Sequence, residues 1–161
     1  MTAMTPTGTL RPTATGADLE LTRTFSASRE DVWASLTESD RTALWFGPWE
    51  RLSEKTINIQ MVFEEGDPWS EMTVDKCDAP EVLAVSTGEG WSLEARLTET
   101  EGATTLLFIQ HLTTTEGIGD IGPGWEYYLD MLIASRDGVA LPSFDDYYPA
   151  QQEYYESLVP R

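Results

Sequence analysis

Few side chains in this sequence have the type or spacing needed for chemistry. His111 is the only histidine and Cys77 the only cysteine. A nucleophilic triad would therefore need His111 as its base. Neither an internal disulfide nor a cysteine-based metal cluster can form, and no metal is expected. Glu126 and Asp130 stand four residues apart on a helical stretch, a spacing that suits paired acid/base work in a closed site. They lie beside the apolar stripe of that helix, so they read as a solvated acidic face. Arg23 is different, because it shares its alternation parity with Leu19, Leu21 and Phe25. An inward guanidinium is costly unless paired. Either it anchors a carboxylate, phenolate or carbonyl group of a ligand, or it emerges at the strand end or pairs with an acid, for which Glu71 and Glu94 are the candidates.

The element that must position such groups is the stretch Gly122 to Asp137. Trp125, Tyr128, Leu129, Leu132 and Ile133 recur at helical spacing and form one apolar stripe. All strand-like segments lie upstream, so the stripe is expected to pack on a sheet built by the earlier chain. That sheet begins with the alternating run from Asp18 to Phe25. Ser28 then opens a helix in an S-x-x-D arrangement, and Ser39 is expected to cap a second short helix running through Leu44 and Trp45. From Glu50 to Thr115 short alternating segments separated by turn residues predict an antiparallel meander. In it Ile57, Ile59, Met61 and Phe63 share one face, and the last strand, apolar on both faces from Leu106 to Ile109, is expected in a central or covered position. The glycines at 117, 119, 122 and 124 predict a flexible connection into the helix, and Gly138 a cap at its end.

The chain of 161 residues is long enough for one domain with its own core. Residues 1–17, rich in Thr, are expected to form a disordered tail, residues 18–141 a single domain, and residues 142–161 an acidic and aromatic tail. This last segment either folds back over the domain or serves a partner. Leu158 to Arg161 match what thrombin-type cleavage leaves of a tag and receive no functional weight. With 28 acidic against 10 basic residues the net charge is -18, which disfavours nucleic acid and anionic membrane surfaces as partners. A neutral ligand or a protein partner engaging the acidic surface remains open. No phosphate-binding glycine motif and no membrane-length apolar run occurs, so no cofactor and no membrane insertion is expected. The single cysteine favours a cytoplasmic location.

Six short motifs occur in a telling order: Leu21-Thr22-Arg23-Thr24-Phe25, Ala27 to Val32-Trp33, Leu44 to Pro48, Pro80 to Leu83, Gly102 to Thr104, and Gly124 to Leu132. In this order they resemble the START/Bet v 1-like (SRPBCC) superfamily, and within it the branch similar to the C-terminal domain of the activator of the Hsp90 ATPase. The resemblance spans about residues 18–138, roughly three quarters of the chain. It implies an α+β helix-grip fold: a bent antiparallel sheet wrapped around the long C-terminal helix, with two short helices after the first strand. The eukaryotic activator carries a separate N-terminal Hsp90-binding domain, for which the residues before the first strand read here leave no room, so ATPase activation is not expected to transfer with the fold.

The same resemblance implies a cavity between sheet and helix. Its expected lining is Met61, Phe63, Trp91, Leu93, Phe108, Trp125, Tyr128 and Leu132, with Gln110 contributing an amide, Arg23 an anchor, and Trp45 either a rim or an anchor for the short helices. His111, on the opposite parity of its strand, is expected to face outward. The leading expectation is binding of a small hydrophobic or aromatic ligand without catalysis. The alternatives are a polyketide cyclase-like enzyme assisted by Arg23, Tyr128 or Gln110, and a chaperone-linked interaction module.

Overall fold

In a computed structural model of the protein, the described residues are 5–159. The chain forms β1 (Thr9–Thr13), β2 (Gly16–Phe25), α1 (Arg29–Thr37), α2 (Ser39–Thr42), β3 (Trp49–Arg51), β4 (Thr56–Gln60), β5 (Trp69–Asp78), β6 (Val82–Thr87), β7 (Ser92–Thr100), β8 (Ala103–Leu112), α3 (Ile118–Asp137) and α4 (Gln152–Ser157), with a 3-10 turn at Phe144–Asp146 before α4. One open antiparallel sheet has the order β1-β2-β8-β7-β6-β5-β4-β3. The expected α+β helix-grip architecture is what the chain adopts.

The register explains why one face is buried. β2 and β8 pair Leu19 with Gln110, Leu21 with Phe108 and Arg23 with Leu106, so one parity class from each strand shares a face. Leu19, Leu21, Leu93, Leu97, Leu106 and Phe108 meet Trp125, Tyr128, Leu129 and Leu132 of α3 in a single core. Each fully buried side chain of this size contributes about 1.5–3 kcal/mol relative to exposure. β8 is central between β2 and β7, in keeping with its two apolar faces. Ser28 caps α1 by accepting from the Asp31 amide at 3.2 Å, and Arg136 ties that helix to α3 by donating to Asp31 Oδ2 at 2.6 Å and to Ser35 Oγ at 2.7 Å.

Several local expectations are corrected. Thr9–Thr13, placed in the disordered tail, is an edge strand. Its side chains are mostly polar, so it lacks the apolar alternation by which strands are read. Arg11 holds it by donating to Asp18 at 2.8 Å and Glu20 at 2.9 Å across the β1–β2 hairpin. The hairpin crosses β8 so closely that a Cβ at Gly16 would lie 2.0 Å from the Leu112 carbonyl oxygen. The glycine-rich connection is not a linker: α3 begins at Ile118 and contains Pro123. β4 ends at Gln60, leaving Met61 and Phe63 in the following turn. Ser39 does not cap α2, which ends at Thr42; its hydroxyl accepts from Trp49 N at 2.8 Å and donates to Trp49 O at 2.9 Å, joining the short helices to β3.

The C-terminal segment folds back along α3, and Tyr147 and Tyr155 are fully buried. Small residues of α3 permit this: a Cβ at Gly122 would lie 2.4 Å from the Tyr155 ring, and one at Gly119 would lie 2.8 Å from Gln152. Residues 1–4 of the expected tail, and Pro160 and Arg161 of the expected tag remnant, lie outside the described residues.

Candidate functional site

Between the sheet and α3 lie two adjoining cavities that share Phe46, Met72, Leu93 and Trp125 in their walls. The inner one, ≈ 280 Å³, is bounded by the end of α1, the Trp45–Phe46 turn, strands β3 to β8 and α3, and reaches the surface beside Arg51, Glu54 and Cys77. Trp45, Phe108 and Leu106 line it. The outer one, ≈ 810 Å³, opens where the turns after β4 and β6 approach the N-terminal half of α3. Met61, Phe63, Trp91 and Tyr128 line it, together with Phe144 from the C-terminal segment.

Trp125 is the partition. Its ring lies 4.4 Å from Phe108, 6.1 Å from Trp91, 6.1 Å from Tyr128 and 6.4 Å from Phe46, centroid to centroid. Its indole N–H donates to Gln110 Oε1 at 2.7 Å, which orients the ring and satisfies a buried amide. Tyr128 donates its phenolic hydrogen to the Glu64 carboxylate. Burial, reinforced by that carboxylate, pushes the Tyr128 phenol far above its ordinary value, so it is a neutral hydrogen-bond donor. Trp45 donates to Ser35 O at 2.8 Å, so it anchors the short helices while also lining the inner cavity.

Three of the expected positions lie elsewhere. Leu132 is fully buried in the core and Gln110 is engaged with Trp125. Arg23 lines neither cavity, and its partners are neither Glu71 nor Glu94. It donates to Asp130 Oδ1 at 2.9 Å, Glu126 Oε1 at 2.8 Å and Thr7 Oγ1 at 3.0 Å. Glu126 and Asp130 are therefore not a solvated acidic face, and the Glu126 side chain is only 1% exposed. Glu126 also accepts from Thr7 N at 2.6 Å, Gly8 N at 3.1 Å and the Tyr155 hydroxyl, while Tyr147 donates to Asp130 at 2.8 Å. Burial opposes ionisation of Glu126, but the hydrogen bonds from Tyr155, Thr7 and Arg23 outweigh it and lower its pKa. The cluster thus binds both terminal segments to α3. Sequence spacing gave no sign of it, because its members are more than 100 residues apart in several pairs.

His111 faces outward, 41% exposed, between Asp18 Oδ1 at 2.7 Å and Glu94 Oε1 at 3.1 Å. Glu94 also binds Arg96 on this outer face. Among the described residues no group of three or more His, Cys, Asp or Glu is placed to hold a metal ion, and no helix is long and apolar enough to cross a membrane.

An open antiparallel sheet gripping a long helix, with an apolar cavity between them, defines a helix-grip domain of the START/Bet v 1-like (SRPBCC) superfamily. The chain belongs to the activator of Hsp90 ATPase homolog 1-like family, whose model matches residues 26–135. Among curated proteins none matches this sequence. CalU16 from Micromonospora echinospora is similar in fold at 20% identity, with 96% of each chain covered and a TM-score of 0.74. A Bordetella parapertussis protein is similar at 22% identity over 100% of this chain and 97% of its own, with a TM-score of 0.75. DynU16, described as belonging to the dynemicin biosynthetic locus, is 19% identical over 82% of this chain and 50% of its own, with a TM-score of 0.64.

Proposed function

We propose that this protein binds a small hydrophobic or aromatic molecule in the space between sheet and α3. The observation that carries the reading is the paired cavity around Trp125, walled by aromatic and aliphatic side chains. Stacking on Trp125, Trp91 and Phe108 would hold an aromatic ligand, with edge and face contacts as the orienting interactions. The superfamily's general association with hydrophobic small molecules supports it. Native mass spectrometry against sterols, fatty acids, flavonoids and polyketides tests it, with Leu93→Trp as the variant that fills the shared wall. A ligand retained by the wild type and lost from Leu93→Trp supports the reading, whereas no binding across the panel overturns it.

A second reading, an enzyme acting on an aromatic compound, is favoured by the Tyr128–Glu64 pair on the outer cavity. With the Tyr128 hydrogen held by Glu64, the phenol oxygen can accept from a ligand hydroxyl while the carboxylate takes up a proton nearby. The similarity to DynU16, whose description places it in a biosynthetic locus, is in keeping with this reading. Turnover of a bound ligand that stops in Tyr128→Phe and persists in Tyr127→Phe separates this reading from passive binding.

A further inference from the structure

The outer cavity has a one-sided charge. Its mouth carries the carboxylates of Glu64, Glu65, Glu89 and Asp120, and among the described residues that line it there is no lysine, arginine or histidine. Its walls are aromatic, with Trp69, Phe144 and Trp91 exposed at the opening and Trp125 and Tyr128 buried further in. Two of the polar hydrogens that this wall offers are already committed, the indole N–H of Trp125 to Gln110 and the hydroxyl of Tyr128 to Glu64. An anionic headgroup entering here would meet carboxylates with neither of those donors to replace its water, which is unfavourable. A cation would meet ring faces and carboxylates, both of which attract it.

We infer that the outer cavity selects hydrophobic ligands bearing a protonated amine or quaternary ammonium group over neutral and anionic ligands of the same shape. The inference rests on the ligand-binding reading above and adds the chemical class. The apolar body of such a ligand packs on Trp125 and Trp91, and its charged end points to the mouth between Glu64 and Glu89. The inner cavity, which is apolar around Leu106 and Phe108 and carries Arg51 as well as Glu54 and Glu94 in its lining, lacks this one-sided charge.

Three matched probes test this by calorimetric titration at neutral pH: 1-naphthylmethylamine as the cation, 1-naphthylmethanol as the neutral form and 1-naphthylacetate as the anion. The expected order is cation, then neutral, then anion, with the cation bound about threefold to tenfold more tightly than the neutral probe, as a few partly solvated charge contacts allow. Adding salt should compress that ratio. Glu65→Gln/Glu89→Gln, which leaves the Tyr128–Glu64 hydrogen bond intact, should lower it toward unity through weaker binding of the cation. Asp75→Asn/Glu153→Gln, which removes two exposed charges away from the cavity, should preserve it. Equal affinity for cation and neutral probe in the wild type overturns the inference and leaves the ligand-binding reading standing. So does a ratio lowered equally by the distant pair, which would make the preference a property of the net charge. If none of the probes binds at millimolar concentration, the inference falls, and the ligand-binding reading is decided by the panel above.

Discussion

Arg23 and Glu126 form a 2.8 Å ion pair in which the arginine side chain is 9% exposed and the glutamate 1%. The pair joins β2, next to the edge strand β1, to α3 and is completed by Thr7 and Tyr155 from the two terminal segments. Removing one member of a buried pair leaves an uncompensated charge, which costs more than the pair contributes relative to apolar replacements. Arg23→Met should therefore destabilise the protein by about 3–5 kcal/mol in denaturant unfolding. The double variant Arg23→Met/Glu126→Leu should recover a large part of that loss. A single variant within about 1 kcal/mol of wild type would show that the cluster is not sealed from water.

The glycines of α3 should differ sharply in what they tolerate. Gly122→Ala places a methyl 2.4 Å from the Tyr155 ring, whereas nothing lies within 4 Å of a Cβ at Gly124. The first should cost about 1–3 kcal/mol by overpacking and increase hydrogen exchange in α4. The second should be neutral or stabilise by about 0.5–1 kcal/mol, because alanine loses less backbone freedom than glycine in a helix. Equal effects would mean that α4 is not seated on α3.

Trp125→Phe keeps an aromatic ring but removes the N–H that satisfies Gln110, itself 4% exposed. Leaving that oxygen unpaired should cost about 1–3 kcal/mol in addition to the lost indole packing. Gln110→Leu in the same background should restore part of the loss. A thermal-unfolding double-mutant cycle gives the coupling.

His111 predicts a pH dependence whose sign follows from its neighbours. Burial lowers its pKa, but hydrogen bonds to Asp18 and Glu94 outweigh this and raise it in the folded state. Arg11 beside Asp18 and Arg96 beside Glu94 share the same face. The stabilisation is therefore fully present below the unfolded value of about 6.5 and is lost as pH rises through the raised folded value. The ring is substantially exposed, so the gain is at most about 1 kcal/mol. Comparing wild type with His111→Gln from pH 5.5 to 9 should show the wild type's advantage shrinking as pH rises, and an advantage that grows would contradict the assignment.

Much of the fold was legible because its signals are local. Alternation of Leu19, Leu21 and Phe25 marked β2, the two-sided apolar run marked β8 as central or covered, and Ser28 and Gly138 marked helix ends. Where a signal was local but ambiguous, tertiary packing decided. The glycines before Trp125 read as a flexible connection, yet Gly119, Gly122 and Gly124 are helical, and α4 packs against Gly119 and Gly122. Met61 and Phe63 continued an apolar alternation past the point where β4 ends.

By itself the sequence determined the order of the main elements from β2 to α3, the inward parity of Arg23 and the aromatic character of the α3 stripe, since each depends on spacing between near neighbours. Only the tertiary structure decided what Arg23 meets. Its acids lie four residues apart on α3, on a face that would be solvated if the chain's two ends did not close over it. Thr7, Tyr147 and Tyr155 bury that face with hydrogen bonds that no local periodicity encodes. The same folding back carries Phe144 to the mouth of the outer cavity, so its shape too depends on contacts distant in sequence.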